Sequence, residues 1–276
     1  MRVELSDRRF PVLTGTLDGN TIAGTAEATG GRSGTFRLIR TAHLESISRY
    51  IGAYKFGDGR FLLVDTLPET RTSLLYAVDS VTGQVRAMYP TSATEFVTGP
   101  GLLAPEPIEQ TLTFQTRGDE IVALVRRTGA NGSERAERVS IRQQEVRFQN
   151  GDAMLTGTLL TPASGDRFPA LILTHGGGAA LREWFWGFGY LMAARGFAVL
   201  AFDKRGVGES TGDWRSARFE DLADDAVSGA RYLQSRGDVD GRRIGFWGLS
   251  QGAWIAHWPP SASARPGSSS RCREEA

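Results

Sequence analysis

Arg243-Ile244-Gly245-Phe246-Trp247-Gly248-Leu249-Ser250-Gln251-Gly252 is the stretch that decides the fold. Its first half is a short apolar run of strand type. The second half runs straight into Gly248-Leu249-Ser250-Gln251-Gly252, a G-x-S-x-G pattern. A sharp strand-to-helix turn leaves no room for a Cβ on either side of its central serine, so both flanking positions require glycine. Such a turn presents the serine hydroxyl outward, which makes Ser250 the candidate nucleophile and Gly248 and Gly252 its supports. Gly252-Ala253-Trp254-Ile255-Ala256 continues as a helix packed behind the turn.

Upstream, Ala170-Leu171-Ile172-Leu173-Thr174 and Ala198-Val199-Leu200-Ala201-Phe202 are almost continuously apolar, the pattern of parallel strands covered on both faces. Between the second of these and the serine turn, Phe219, Leu222, Ala223, Ala226, Val227, Ala230 and Leu233 fall at helical spacing. Glu220, Asp221, Asp224 and Asp225 stand in the first turns of that helix, where carboxylates favour the macrodipole, and they are read as structural. His175-Gly176-Gly177-Gly178 leaves the first apolar strand at its C-terminal end, where open α/β sheets bind ligands. Its glycines let backbone amides approach a substrate oxygen. Gly177 and Gln251, the residue after the nucleophile, are the expected oxyanion donors. His175, Gly176 and Gly178 support that loop, and His175 is not read as a general base.

Phe202-Asp203-Lys204-Arg205-Gly206-Val207-Gly208-Glu209-Ser210 lies between the two glycine motifs. With these three segments in order, residues 145–257 resemble the α/β-hydrolase superfamily, especially bacterial esterases and serine peptidases that place a β-rich domain before the catalytic one. The resemblance implies acyl transfer from ester, thioester or peptide to water through an acyl-serine, without cofactor or metal. It makes the middle segment a structural D-x-R-G-x-G-x-S loop in which Asp203 and Arg205 brace rather than react. It also requires an acid and a histidine after Ser250, in the order Ser, Asp or Glu, His. The only histidine after Ser250 is His257, seven residues on. On a helix that is a rise of about 10 Å, beyond the roughly 3 Å of a serine–histidine hydrogen bond. His43 sits in the β-rich part. The expectation is therefore a hydrolase domain truncated or frameshifted after its nucleophile turn and inactive in this chain. A serine peptidase is the closest rival, and a non-catalytic protein that binds through its β domain is the other.

Residues 1–142 read as short strands punctuated by hairpin signals, among them Asp18-Gly19-Asn20, Gly57-Asp58-Gly59 and Asn131-Gly132. An all-β domain, barrel or sandwich, is expected there, with its first strands missing. From Glu145 strands alternate with helices, and the hairpin around Asn150-Gly151-Asp152 opens a second, mostly parallel α/β-hydrolase domain over 143–258. Residues 259–276 carry no period and no large apolar residue, and read as a disordered or out-of-frame tail. A sheet stopping at Ile244–Trp247 leaves a bare edge, through which the chain is expected to self-associate.

Composition excludes other classes. A formal net charge of +1 offers no field for nucleic acid or anionic lipid. One cysteine, Cys272, excludes a disulfide framework and, with three histidines, leaves too few ligands for structural zinc. No apolar run is long enough to cross a bilayer, and the charged opening MRVELSDRRF is not a signal peptide. The expected partner is a small ester or peptide substrate. The expected location is cytoplasmic as written, or exported if an upstream signal has been lost.

Overall fold

The computed structural model describes residues 2–5, 12–28, 31–67, 74–102, 107–129 and 132–257. Asn131, Cys272 and the 259–276 tail lie outside the described residues. The chain divides into two compact units, 1–138 and 139–276.

The first unit opens with β1 (Arg2–Leu5), β2 (Val12–Asp18), β3 (Thr21–Glu27) and β4 (Ser33–Ile39), an antiparallel sheet of its own in that order. Eight further strands follow: β5 (Gly52–Phe56), β6 (Phe61–Thr66), β7 (Leu75–Asp79), β8 (Val85–Pro90), β9 (Glu95–Thr98), β10 (Gln110–Arg117), β11 (Glu120–Thr128) and β12 (Ser133–Arg138). Each pairs antiparallel with the next, and β12 returns to β5, with Ala136 opposite Phe56, to close a barrel. Of the two β architectures expected, the barrel is the one formed.

Strand pleating sends alternate residues inward. Tyr54 and Phe56, Leu62 and Val64, Leu75 and Ala77, and Leu112 and Phe114 accordingly meet in one buried cluster. Tyr50, Phe96 and Phe114 pack with centroids 4.9–5.3 Å apart. The Tyr54 hydroxyl donates to the Tyr50 carbonyl at 2.7 Å, and burial pushes that phenol well above its ordinary range. A cavity of about 580 Å³ in this unit is lined by Thr41–Ser48, Leu74, Leu75, Met88, Pro90 and Phe96, so it holds His43.

The second unit is a five-stranded sheet. It is built from β13 (Ile141–Asn150), β14 (Ala153–Pro162), β15 (Phe168–Thr174), β16 (Ala198–Phe202) and β17 (Val239–Gly248), in the spatial order β13-β14-β16-β15-β17. The pairings β15–β16 and β15–β17 are parallel, whereas β13–β14 and β14–β16 are antiparallel. The sheet is thus mixed, because the tight Asn150–Asp152 turn makes a hairpin, and only the strands joined by helical crossovers can run parallel.

Helices cover both faces. Ala198, Leu200 and Phe202 face α2 (Phe219–Gln234) together with Ala226 and Leu233. Val199 and Ala201 point the other way, into a cluster with Ala193 of α1 (Trp186–Ala194). That alternation explains why the five residues of β16 are all apolar and all buried. The Asp221 carboxylate caps α2 by accepting the Arg218 amide at 2.8 Å, which lowers its pKa. A last helix, α3 (Gln251–His257), follows β17 after two residues. Among the described residues no helix is long and apolar enough to cross a membrane.

Candidate active site

Ser250 lies between β17 and α3 with φ at +56°, a left-handed conformation that a side-chain-bearing residue rarely adopts. Only one other non-glycine described residue, Arg167, has a positive φ. The flanking glycines are obligatory on steric grounds. A Cβ at Gly248 would stand 2.2 Å from Thr174 Oγ1, and one at Gly252 would stand 2.2 Å from the Thr174 carbonyl oxygen. Thr174, the last residue of β15, therefore holds the turn. Its hydroxyl lies 3.1 Å from the Trp247 carbonyl and 2.9 Å from that of Gly252. The result is an exposed serine on a strained, tightly held backbone.

β15 continues into His175-Gly176-Gly177-Gly178, and this loop lies against the serine turn. A Cβ built on Gly176 would be 3.9 Å from Ser250 Cβ and 3.5 Å from the Leu249 carbonyl. Gly177 is exposed and has open space around it. The Gln251 amide is the first of α3, where no intrahelical acceptor exists. Ser250, Gly177 and Gln251 are thus brought to the C-terminal ends of two adjacent parallel strands.

His175 is buried. Its ring packs against Phe185 and Phe202, each 5.1 Å away between centroids. Nε2 has no hydrogen-bond partner. Burial, with Lys204 nearby, lowers its pKa to about 3, so the ring is neutral and fixed as the base of the glycine loop. His257 Nδ1 sits 2.8 Å from the Ala253 carbonyl one turn back on its own helix. His43 belongs to the first unit.

The 203–210 loop is braced throughout. Asp203 accepts the amides of Arg182 and Glu209 at 3.0 and 3.1 Å. Gly208, at φ +57°, lies so close that a Cβ there would reach 2.5 Å from Asp203 Oδ2. The Ser210 hydroxyl donates to the Asp203 carbonyl and accepts from the Thr156 amide. Arg205 grips buried Asp225 with a two-pronged contact at 2.6 and 2.7 Å, and Asn150 adds a third hydrogen bond to that carboxylate. Burial raises the Asp225 carboxyl above its ordinary value even against that fork, while the hydrogen bonds to Asp225 raise Arg205. Lys204, to which the sequence pattern assigned no part, is buried among the same elements. Its Nζ donates to the carbonyls of Gly176 and Gly178 and to Gln251 Oε1.

A model of the Prolyl oligopeptidase family matches residues 186–260, which hold the serine turn. That match joins a sheet whose third strand exits into the HGGG loop and whose fifth exits into G-x-S-x-G. The second unit has the fold of an α/β-hydrolase domain. Among its relatives is the quorum-quenching protein AidA of Acinetobacter baumannii, 28% identical over 39% of this chain and 36% of that protein. Dipeptidyl-peptidase 5 of Porphyromonas gingivalis is 26% identical over 44% of this chain and 19% of that protein. A solved structure, hypothetical protein PA2218 from Pseudomonas aeruginosa, is 32% identical with a TM-score of 0.35, covering 38% of this chain and 34% of its own. The chain spans about a third or less of the length of these relatives.

Proposed function

We propose that the chain is a serine hydrolase that transfers an acyl group from a carboxylic ester to water through an acyl-Ser250 intermediate. The observation that carries the reading is the backbone of Ser250, left-handed at φ +56° between two glycines that tolerate no Cβ. Nothing in the packing of the sheet demands a strained, exposed serine there, and nucleophilic attack does. The hydroxyl adds to the ester carbonyl, and the oxygen that gains charge is stabilised by the amides of Gly177 and Gln251. The alcohol then leaves, and water resolves the acyl-serine.

Neither His175, buried and neutral, nor His257, tied to its own helix, is assigned as the base. Loss of one triad member costs about 10⁴ to 10⁶ in turnover. Purified chain is therefore expected to hydrolyse a p-nitrophenyl ester barely above background. Prolonged exposure to a fluorophosphonate, followed by peptide mapping, should place a slowly formed adduct on Ser250 and on no other serine. Fast turnover abolished by Ser250→Ala would refute the inactivity of this chain. An adduct on another residue, unchanged by Ser250→Ala, would refute the nucleophile. Peptide hydrolysis is the second reading, favoured by the match to the Prolyl oligopeptidase family over the residues that carry the serine turn.

A further inference from the structure

Lys204 occupies the unassigned position of the D-x-R-G-x-G-x-S loop, and its environment is unusual for an ammonium. It is 3% exposed. Its three N–H donors meet three acceptors, the Gly176 carbonyl at 3.0 Å, the Gly178 carbonyl at 3.1 Å and Gln251 Oε1 at 2.8 Å. All three acceptors are neutral. The two buried carboxylates of the neighbourhood are engaged elsewhere, Asp203 by Arg182 at 3.7 Å and Asp225 by Arg205 at 2.6 Å. The ammonium also stands 5.5 Å from the centre of the Trp214 ring. Burying a charge on neutral groups is expensive, and a leucine or methionine would fill the same space at less cost.

What the charge holds explains why it is there. A peptide unit is planar, and its C=O and the following N–H point in opposite directions. Pinning the Gly176 carbonyl on Lys204 therefore aims the Gly177 amide away from Lys204. Pinning the Gly178 carbonyl fixes the following peptide in the same way, at a glycine with φ of +84° that would otherwise be free to rotate. The third bond reaches across to the residue that bears the other donor, Gln251. We propose that Lys204 is the positioning residue of the oxyanion hole, one side chain that sets the amides of Gly177 and Gln251 relative to Ser250.

The inference rests on Ser250 being the nucleophile, as proposed above, and the two can fail separately. Phenylboronic acid is the probe. Ser250 Oγ adds to the trigonal boron, its proton passes to solvent, and the resulting tetrahedral boronate places an oxygen where the oxyanion would sit. ¹¹B NMR separates tetrahedral from trigonal boron and gives the affinity. The expected result is a tetrahedral adduct with the full chain, lost in Ser250→Ala. In Lys204→Met the adduct should weaken by about tenfold, less than the 10² to 10³ attached to removing a donor outright. Lys204→Gln, which keeps N–H donors, should recover part of the loss.

A second measurement does not depend on any variant folding. In ¹⁵N-glycine-labelled wild-type chain, the Gly177 and Gly178 amides should shift together as alkaline pH neutralises Lys204, whose pKa burial has lowered. The other titratable groups lining the same small cavity are His175, whose pKa burial lowers to about 3, and Asp225, which the Arg205 fork holds. Absence of any adduct, or an adduct that survives Ser250→Ala, overturns the nucleophile and this inference with it. A Ser250-dependent adduct of unchanged affinity in folded Lys204→Met overturns this inference alone, as do glycine amides that ignore alkaline pH.

Discussion

Acidification should unfold the second unit through His175. The sign follows from its lowered pKa. The unfolded chain takes up a proton at His175 near the ordinary imidazole value of 6.5, whereas the folded chain refuses it until about 3. Between those values the unfolded state binds more protons, so stability present above pH 6.5 is lost as pH falls toward 3. The whole shift is worth about 5 kcal/mol, of which about 2 kcal/mol is lost between pH 8 and pH 5. At a urea slope of about 2 kcal/mol per molar, that moves the midpoint by about 1 M.

Intrinsic fluorescence reads this unit alone, because all six tryptophans lie between residues 184 and 258. Lowered carboxylates such as Asp238 and Asp240 titrate below the window, and Asp225, raised by burial, acts with the opposite sign. Subtracting the profile of His175→Gln removes those contributions. If wild type and His175→Gln lose stability equally between pH 8 and pH 5, the buried neutral imidazole is refuted.

Gly252→Ala should destabilise the second unit by at least the top of the about 1–3 kcal/mol range for overpacking, because its Cβ meets the Thr174 carbonyl at 2.2 Å; urea midpoints by fluorescence would show this. Arg205→Ala leaves Asp225, 1% exposed, without its fork and should cost about 3–5 kcal/mol in the same assay, whereas Arg218→Ala, on an exposed pair, should leave the midpoint nearly unchanged. The free side of β17, which pairs with β15 alone among the described strands, should drive concentration-dependent association visible by sedimentation. Phe246→Lys, at a residue 37% exposed on that strand, should reduce it.

The second unit was the more legible in sequence, and the reason is local. β16 was readable over Ala198–Phe202 because both faces of a central strand are buried and every residue must be apolar. α2 was readable because one of its faces is apolar and its start is acidic. The serine turn was readable because its geometry excludes all residues but glycine at two fixed positions. Barrel and sandwich could not be separated. The contact that decides between them joins Tyr54–Phe56 to Ala136–Arg138, and nothing near either segment announces the other. The separate sheet of β1 to β4 was hidden likewise, since Gly-rich hairpins look alike whether or not they join a barrel. Lys204 was missed because a motif position that varies carries no pattern. Its part is set by three oxygens from two other segments.

Closure of the barrel also sets an order of events at the ribosome. Phe56 and its partner Ala136 are 80 residues apart, so at about 5–20 residues per second β5 emerges roughly 4–16 s before the strand that will seal it. Throughout that interval one side of β5 has no neighbour, while β6 to β11 line up on the other. The nascent chain therefore passes through a curled, open ribbon, and the last strand of the eight acts as the clasp.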